Sequence, residues 1–170
     1  MSRSQTLDAW LRQRLAGEPF ELASASEDAS FRRYFRLTTR EGTSIVMDAP
    51  PDHEDCRPFV KVARLFFAAG VHVPQVLMED LDNGYLLLSD LGTTTYLQAL
   101  TEATASHLYA DANNALVHIQ LASRAGVLPD YDFGLLLREM RLFPDWYVAK
   151  HLGIILSAAQ AEVLEAAFEA

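Results

Sequence analysis

Cysteine is almost missing from this 170-residue chain. Cys56 stands alone, so no internal disulfide can form and a reducing compartment, the cytoplasm, is the expectation. Long apolar runs are missing as well: no stretch approaches the roughly 20 apolar residues of a membrane helix, and the opening MSRSQTLDAW has no apolar signal core. Positive charge is scarce. Fourteen basic against 23 acidic residues give a formal charge of -9, which argues against non-specific binding to nucleic acid or anionic membrane, where affinity comes from neutralising phosphates. Any phosphate must be handled locally. Repeats and low-complexity tracts are also absent, and half of the residues are hydrophobic, enough for a real core.

What is there is organised around residues 75–92, QVLMEDLDNGYLLLSDLG. Two apolar runs, 76–78 and 85–88, are joined through Asp82-Asn83-Gly84, and Asn-Gly signals a tight hairpin in which both turn positions take positive φ. Before the hairpin the chain is β-rich, with strands expected over 20–24, 31–38 and 44–48; after Gly92 only amphipathic helical patterns follow. The fold class is therefore α+β, an antiparallel sheet of about five strands followed by helices. Asp90-Leu91-Gly92 sits at the junction, where a ligand site is sought.

The strand over 31–38 alternates Phe31, Arg33, Phe35 and Leu37 on one face with Arg32, Tyr34 and Arg36 on the other. Leu7, Trp10, Leu11 and Leu15 share a stripe of an opening helix, with Ser4 or Thr6 available as its cap. Pro58 fits the first turn of a second helix that Gly70 stops, and the helix presents Phe59, Val62 and Phe66 to the sheet. Downstream, helices are expected over 95–100, over 106–123 with Leu108, Ala112, Ala115, Ile119 and Ala122 buried, over 133–143 as far as Pro144, and from an Asp145 cap to His151. Ser157 to Gln160 reads as a capping box opening a last helix, inside which the chain ends.

Several residue groups point toward chemistry, each with a plainer reading beside it. The small polar run over 24–30 either turns backbone N–H groups toward a phosphate or is an ordinary connection. Arg32, Arg33, Arg36 and Arg40 either neutralise a bound anion or form a solvated face. Phe143-Pro144-Asp145-Trp146-Tyr147 is either helix packing or the wall of an acceptor pocket. The five histidines show no i,i+4 pair, and His53-x-x-Cys56 falls short of four zinc ligands. Asp132-Phe133-Gly134 spells the magnesium triplet of protein kinases, but no catalytic loop precedes it, so it is read as a capped helix start.

In this order the loop, arginine-bearing strand, third strand, covering helix, hairpin and polar linker resemble the nucleotide-binding lobe of the aminoglycoside phosphotransferase and choline kinase-like family. SASEDASFRRYFRL, VMDAPPDHEDCRPFV, AGVHVPQVL, LLLSDLG and LLLREMRLFPDWYVAKHLG are similar to segments of the bacterial kinases that phosphorylate N-acetylmuramate and N-acetylglucosamine at the anomeric hydroxyl. The resemblance implies a protein kinase-like two-lobe fold, with a nucleotide-binding lobe over 1–91 and a hinge and incomplete helical lobe over 92–170. It implies ATP with magnesium as cofactors and an amino sugar as substrate. Ser26, Asp28, Ala29 and Ser30 would be the loop over the phosphates; Asp90, Leu91 and Gly92 would be the hinge, offering adenine the Asp90 carbonyl and the Gly92 N–H. Trp146 and Tyr147 would face the sugar.

Two positions depart from the pattern. The lysine expected on the third strand is Met47, and the helix glutamate that would pair with it falls at or near Phe59. An apolar pair packs where a half-removed ion pair would leave a buried charge. Phosphate charge must then come from elsewhere, with Arg33 the first expectation and Lys61 or Arg57 its rivals. The family's catalytic loop and later magnesium aspartate have no counterpart in the chain. The expectation is the front part of a longer kinase, not active alone, or a remnant that serves as a non-catalytic nucleotide-binding or interaction module.

Overall fold

A computed structural model describes residues 2–27 and 30–169, leaving aside the side chains of Ser26 and Glu27. The elements run α1 (Arg3–Arg14), β1 (Glu21–Glu27), β2 (Arg33–Thr39), β3 (Gly42–Asp48), α2 (Arg57–Ala68), β4 (Val76–Asp80), β5 (Tyr85–Ser89), α3 (Tyr96–Ala99), α4 (Glu102–Ala122), α5 (Phe133–Leu142), a π-helical segment (Phe143–His151) and α6 (Ala158–Glu169). The five strands form one antiparallel sheet in the order β1-β2-β3-β5-β4. This is the expected α+β class, consistent with the smaller lobe of a kinase-like fold.

Period-two alternation gives the sheet two different faces. On one, Leu37, Val46, Tyr85 and Leu87 meet Leu7, Trp10 and Leu11 of α1. On the other, Met47, Ala49, Leu86 and Leu88 meet Cys56 and Val60 at the start of α2. Each buried leucine or valine of this kind contributes about 1.5–3 kcal/mol. β5 is the strand both clusters share, and Tyr85, Leu86, Leu87 and Leu88 are all buried. Cys56 lies in the α2-side core, where burial pushes its thiol pKa upward.

Local chemistry explains where the elements begin and end. The first helix starts earlier than expected: Ser2 caps it, its hydroxyl accepting from the Gln5 N–H while the Gln5 side chain accepts from the Ser2 N–H. A capping box satisfies two orphan donors at once, which neither Ser4 nor Thr6 does here. The β4–β5 hairpin forms as expected, but its turn differs. Gly84 has φ of 70°, whereas Asn83 is not in the positive-φ region. Asn83 instead donates from its backbone and side chain to Asp80, so the connection is a longer loop closed by one glycine. Glycine is required at 84 for space as well, because a Cβ would lie 1.8 Å from the Ala49 carbonyl oxygen.

Contacts divide the chain into two compact units, Met1–Ser123 and Arg124–Ala170. Within the first unit, Arg36 bonds Asp90 and the Gly92 carbonyl, and the His118 side chain of α4 comes close to Gly70. The half-buried residues of α4 include Leu108, Ala115 and Ile119, while Ala112 and Ala122 are exposed. The buried side expected for that helix is thus only partly covered. In the second unit α5 does not stop at Pro144: the chain continues as a π-helix, a register change that accommodates the missing proline N–H. Asp145 lies inside that segment and caps nothing. α6 opens on the Ser157–Gln160 box, and Arg141 pairs with Glu165 at 3.1 Å.

Candidate functional site

On the α2 side of the sheet lies a cleft of about 520 Å³, contained within the first compact unit. Ala25 of β1, Tyr34 of β2 and Ile45 of β3 line it from the sheet, Phe59 from α2, and residues 88–95 close one end. An apolar enclosure with a few polar groups at one edge is the usual form of a small-molecule site.

The polar edge is held by one ion pair. Arg36 donates from Nε to Asp90 Oδ2 at 2.7 Å and from Nη2 to Oδ1 at 3.1 Å, and the same Nη2 donates to the Gly92 carbonyl at 3.1 Å. The Gly92 N–H returns to Asp90 Oδ1 at 2.9 Å. Arg36 first, and then the Gly92 N–H and Thr43, hold the Asp90 carboxyl well below the usual carboxylate range against the opposing effect of burial. Gly92 takes φ of 93°, the left-handed geometry that lets the chain turn back at this point. The N–H expected to serve adenine is therefore engaged with Asp90 here, and a ligand using it would have to exchange that bond.

The third-strand position where the resemblance leads one to expect a lysine is apolar. Met47 is fully buried and packs in the α2-side core, with Phe59 and Tyr34 partly buried against it. Tyr34 is the cross-strand neighbour of Met47. No cation enters from β3.

Arg33 lies on the opposite face. Its guanidinium donates to Asp48, which is wholly buried and also bonded by Arg3 Nε at 2.7 Å. Arg33 is thus part of the attachment of α1 to the sheet and does not line the cleft. Of its rivals, Arg57 pairs with Asp55 and Asp82, and Lys61 lines a separate groove with Arg64 and Leu81. Asp90, Leu91 and Gly92 come together at the cleft as a group. Asp28 and Ala29 lie outside the described residues, as does the Ser26 side chain; Ser30 is exposed just before β2. Trp146 and Tyr147 belong to the other compact unit and are exposed, with Tyr147 stacked between Phe143 and His151. Among the described residues no group of three or more His, Cys, Asp or Glu is placed to hold a metal ion.

Sequence reasoning missed the Arg36–Asp90 pair. The alternation that put Arg32, Tyr34 and Arg36 on one face was the available signal, but it does not say which face carries the cleft.

Residues 21–170 match the phosphotransferase enzyme family, APH. The chain is 53% identical over 165 residues to an N-acetylmuramate/N-acetylglucosamine kinase of Pseudomonas aeruginosa, covering 91% of this chain and 49% of that protein. Proteins of the same name from Pseudomonas putida and Neisseria meningitidis serogroup B are 45% and 46% identical, covering 93% and 96% of this chain and 50% of each relative. The chain spans about half the length of the curated relatives it matches. The family match begins at the first strand and runs through β5 and every later helix, so this chain belongs to the phosphotransferase enzyme family.

Proposed function

We propose that this chain supplies the nucleotide-binding part of an ATP-dependent kinase that phosphorylates the anomeric hydroxyl of N-acetylmuramate or N-acetylglucosamine in the cytoplasm. The observation that carries the reading is the cleft bounded by Asp90, Leu91 and Gly92 under the sheet. The names of the three relatives support the sugar. Adenine fits the apolar part of such a cleft, between Ala25 and Ile45, with the hinge backbone at its edge. ATP supplies the transferable γ-phosphate when bound. The residues of this chain hold the base, exclude water from it through Phe59 and Leu88, and keep the hinge rigid through Arg36.

The apolar Met47 and Phe59 favour a second reading, a module that binds nucleotide without catalysis. A product assay separates the two. With ATP and a panel of amino sugars, the chain extended to the full length of its relatives is expected to yield the 1-phosphate of the sugar. Phosphate on aminoglycosides alone would overturn the sugar, and tight ATP binding without any phosphorylated product would favour the second reading.

A further inference from the structure

The cleft has its hinge-side cation in Arg36, but the lysine position on β3 is Met47, and Arg33, Arg57 and Lys61 stand elsewhere. One basic side chain remains at the other end of the same face. Arg32 immediately precedes β2 and shares the parity of Tyr34 and Arg36. Four residues of extended chain put it about 13 Å along the strand from Arg36, away from the hinge. Its guanidinium is held by Glu54, whose Oε2 lies 3.3 Å from Nη2.

We propose that Arg32 binds the phosphates of the nucleotide, and that Glu54, from the loop joining β3 to α2, is its positioning residue. Together they replace the absent strand lysine and helix glutamate. This deepens the nucleotide reading given above and rests on it.

Three observations converge on the pair. Arg32 Nε is buried with no hydrogen-bond partner, a costly state that an anionic oxygen would relieve. Glu54 is largely buried, and both its oxygens are in use: Oε1 accepts from the Phe31 N–H at 3.2 Å and Oε2 faces Arg32. Its charge is thereby spent locally, while Arg32 keeps 29% of its side chain exposed. Finally, the loop that carries Glu54 is fastened to the start of β2 by Phe31 stacked on His53, 4.5 Å between ring centres. Arg32 is therefore fixed before any ligand arrives, which lowers the entropy lost on binding.

The test compares ATP, ADP and adenosine by calorimetric titration of this chain. Wild type is expected to bind ATP and ADP more tightly than adenosine. Arg32→Ala should lower affinity for both phosphorylated ligands about 10- to 100-fold, leaving adenosine unchanged. Arg32→Lys should recover part of the loss, and Glu54→Gln should lower the ATP-to-adenosine ratio by a smaller factor, a change that general destabilisation does not produce. Arg33→Ala should leave the ratio where it was. An unchanged ratio in Arg32→Ala, or in Arg32→Lys and Glu54→Gln should the alanine variant not fold, overturns the assignment while the nucleotide reading stands. A wild-type chain that binds none of the three ligands overturns the nucleotide reading itself.

Discussion

The two faces of one sheet treat charge in opposite ways. Beneath α1 a carboxylate is fully buried, and Asp48 survives there because Arg3 and Arg33 both reach it. Arg3 also donates to the Asn83 carbonyl at 2.7 Å and lies over the Tyr85 ring, so one guanidinium ties the N-terminal helix to β3, to the hairpin and to β5. Beneath α2 the equivalent depth is apolar, with Met47, Leu86 and Leu88 around Val60, and the ion pair of the cleft, Arg36 with Asp90, stands at its edge. The first face uses a closed ionic network for attachment; the second keeps an apolar centre with a polar edge. A ligand with an apolar middle and charged or polar extremities suits only the second.

This contrast can be broken in three places. The largest effect is expected from Met47→Lys, which puts a cation in the fully buried centre of the α2 face: a loss of about 4 kcal/mol in denaturant-monitored stability. Adding Phe59→Glu should return part of that loss, and a double variant no more stable than Met47→Lys alone would mean the two positions do not face each other. Next comes Asp48→Ala, which strands two guanidinium groups against α1 and should cost about 3 kcal/mol in the same experiment. A cost near zero would show the α1 network to be a surface ion pair.

The smallest effect is at Asp90. Asp90 has its carboxyl pKa held below the ordinary value, so its contribution is complete above about pH 4 and is lost as pH falls through the folded value. The melting temperature of wild type should therefore drop more steeply below about pH 4 than that of Asp90→Asn. Parallel curves would separate the Arg36–Asp90 pair from acid stability.

Much of the sheet was legible because strands announce themselves by alternation. The stretch from Arg33 to Leu37 gave its two faces correctly, although the strand begins at Arg33 and not at Phe31, and Val46 and Met47 were placed within a strand. What alternation omits is which face is covered by which helix, and Arg33 and Arg36 exchange roles on that single fact. The hairpin was legible through Asn83-Gly84, but not its turn geometry, since Asp80 captures Asn83 from outside the dipeptide. The Ser2–Gln5 box was present in the sequence as S-x-x-Q and was passed over in favour of serine and threonine nearer the apolar stripe. Continuation through Pro144 had no local signal, because a π-helical register is decided by packing such as that of Val148, the one buried residue of its segment. That residues 90–92 border a cleft was legible, whereas the arginine holding Asp90 lies 54 positions earlier in the chain.

Cys56, enclosed where α2 meets the sheet, gives this fold a built-in clock. With its thiolate disfavoured by burial and its sulfur shielded from water, a maleimide can react only while the helix is lifted away. Because no other thiol exists in the sequence, the labelling rate counts openings of that one seam, and a ligand seated beneath it should slow the count.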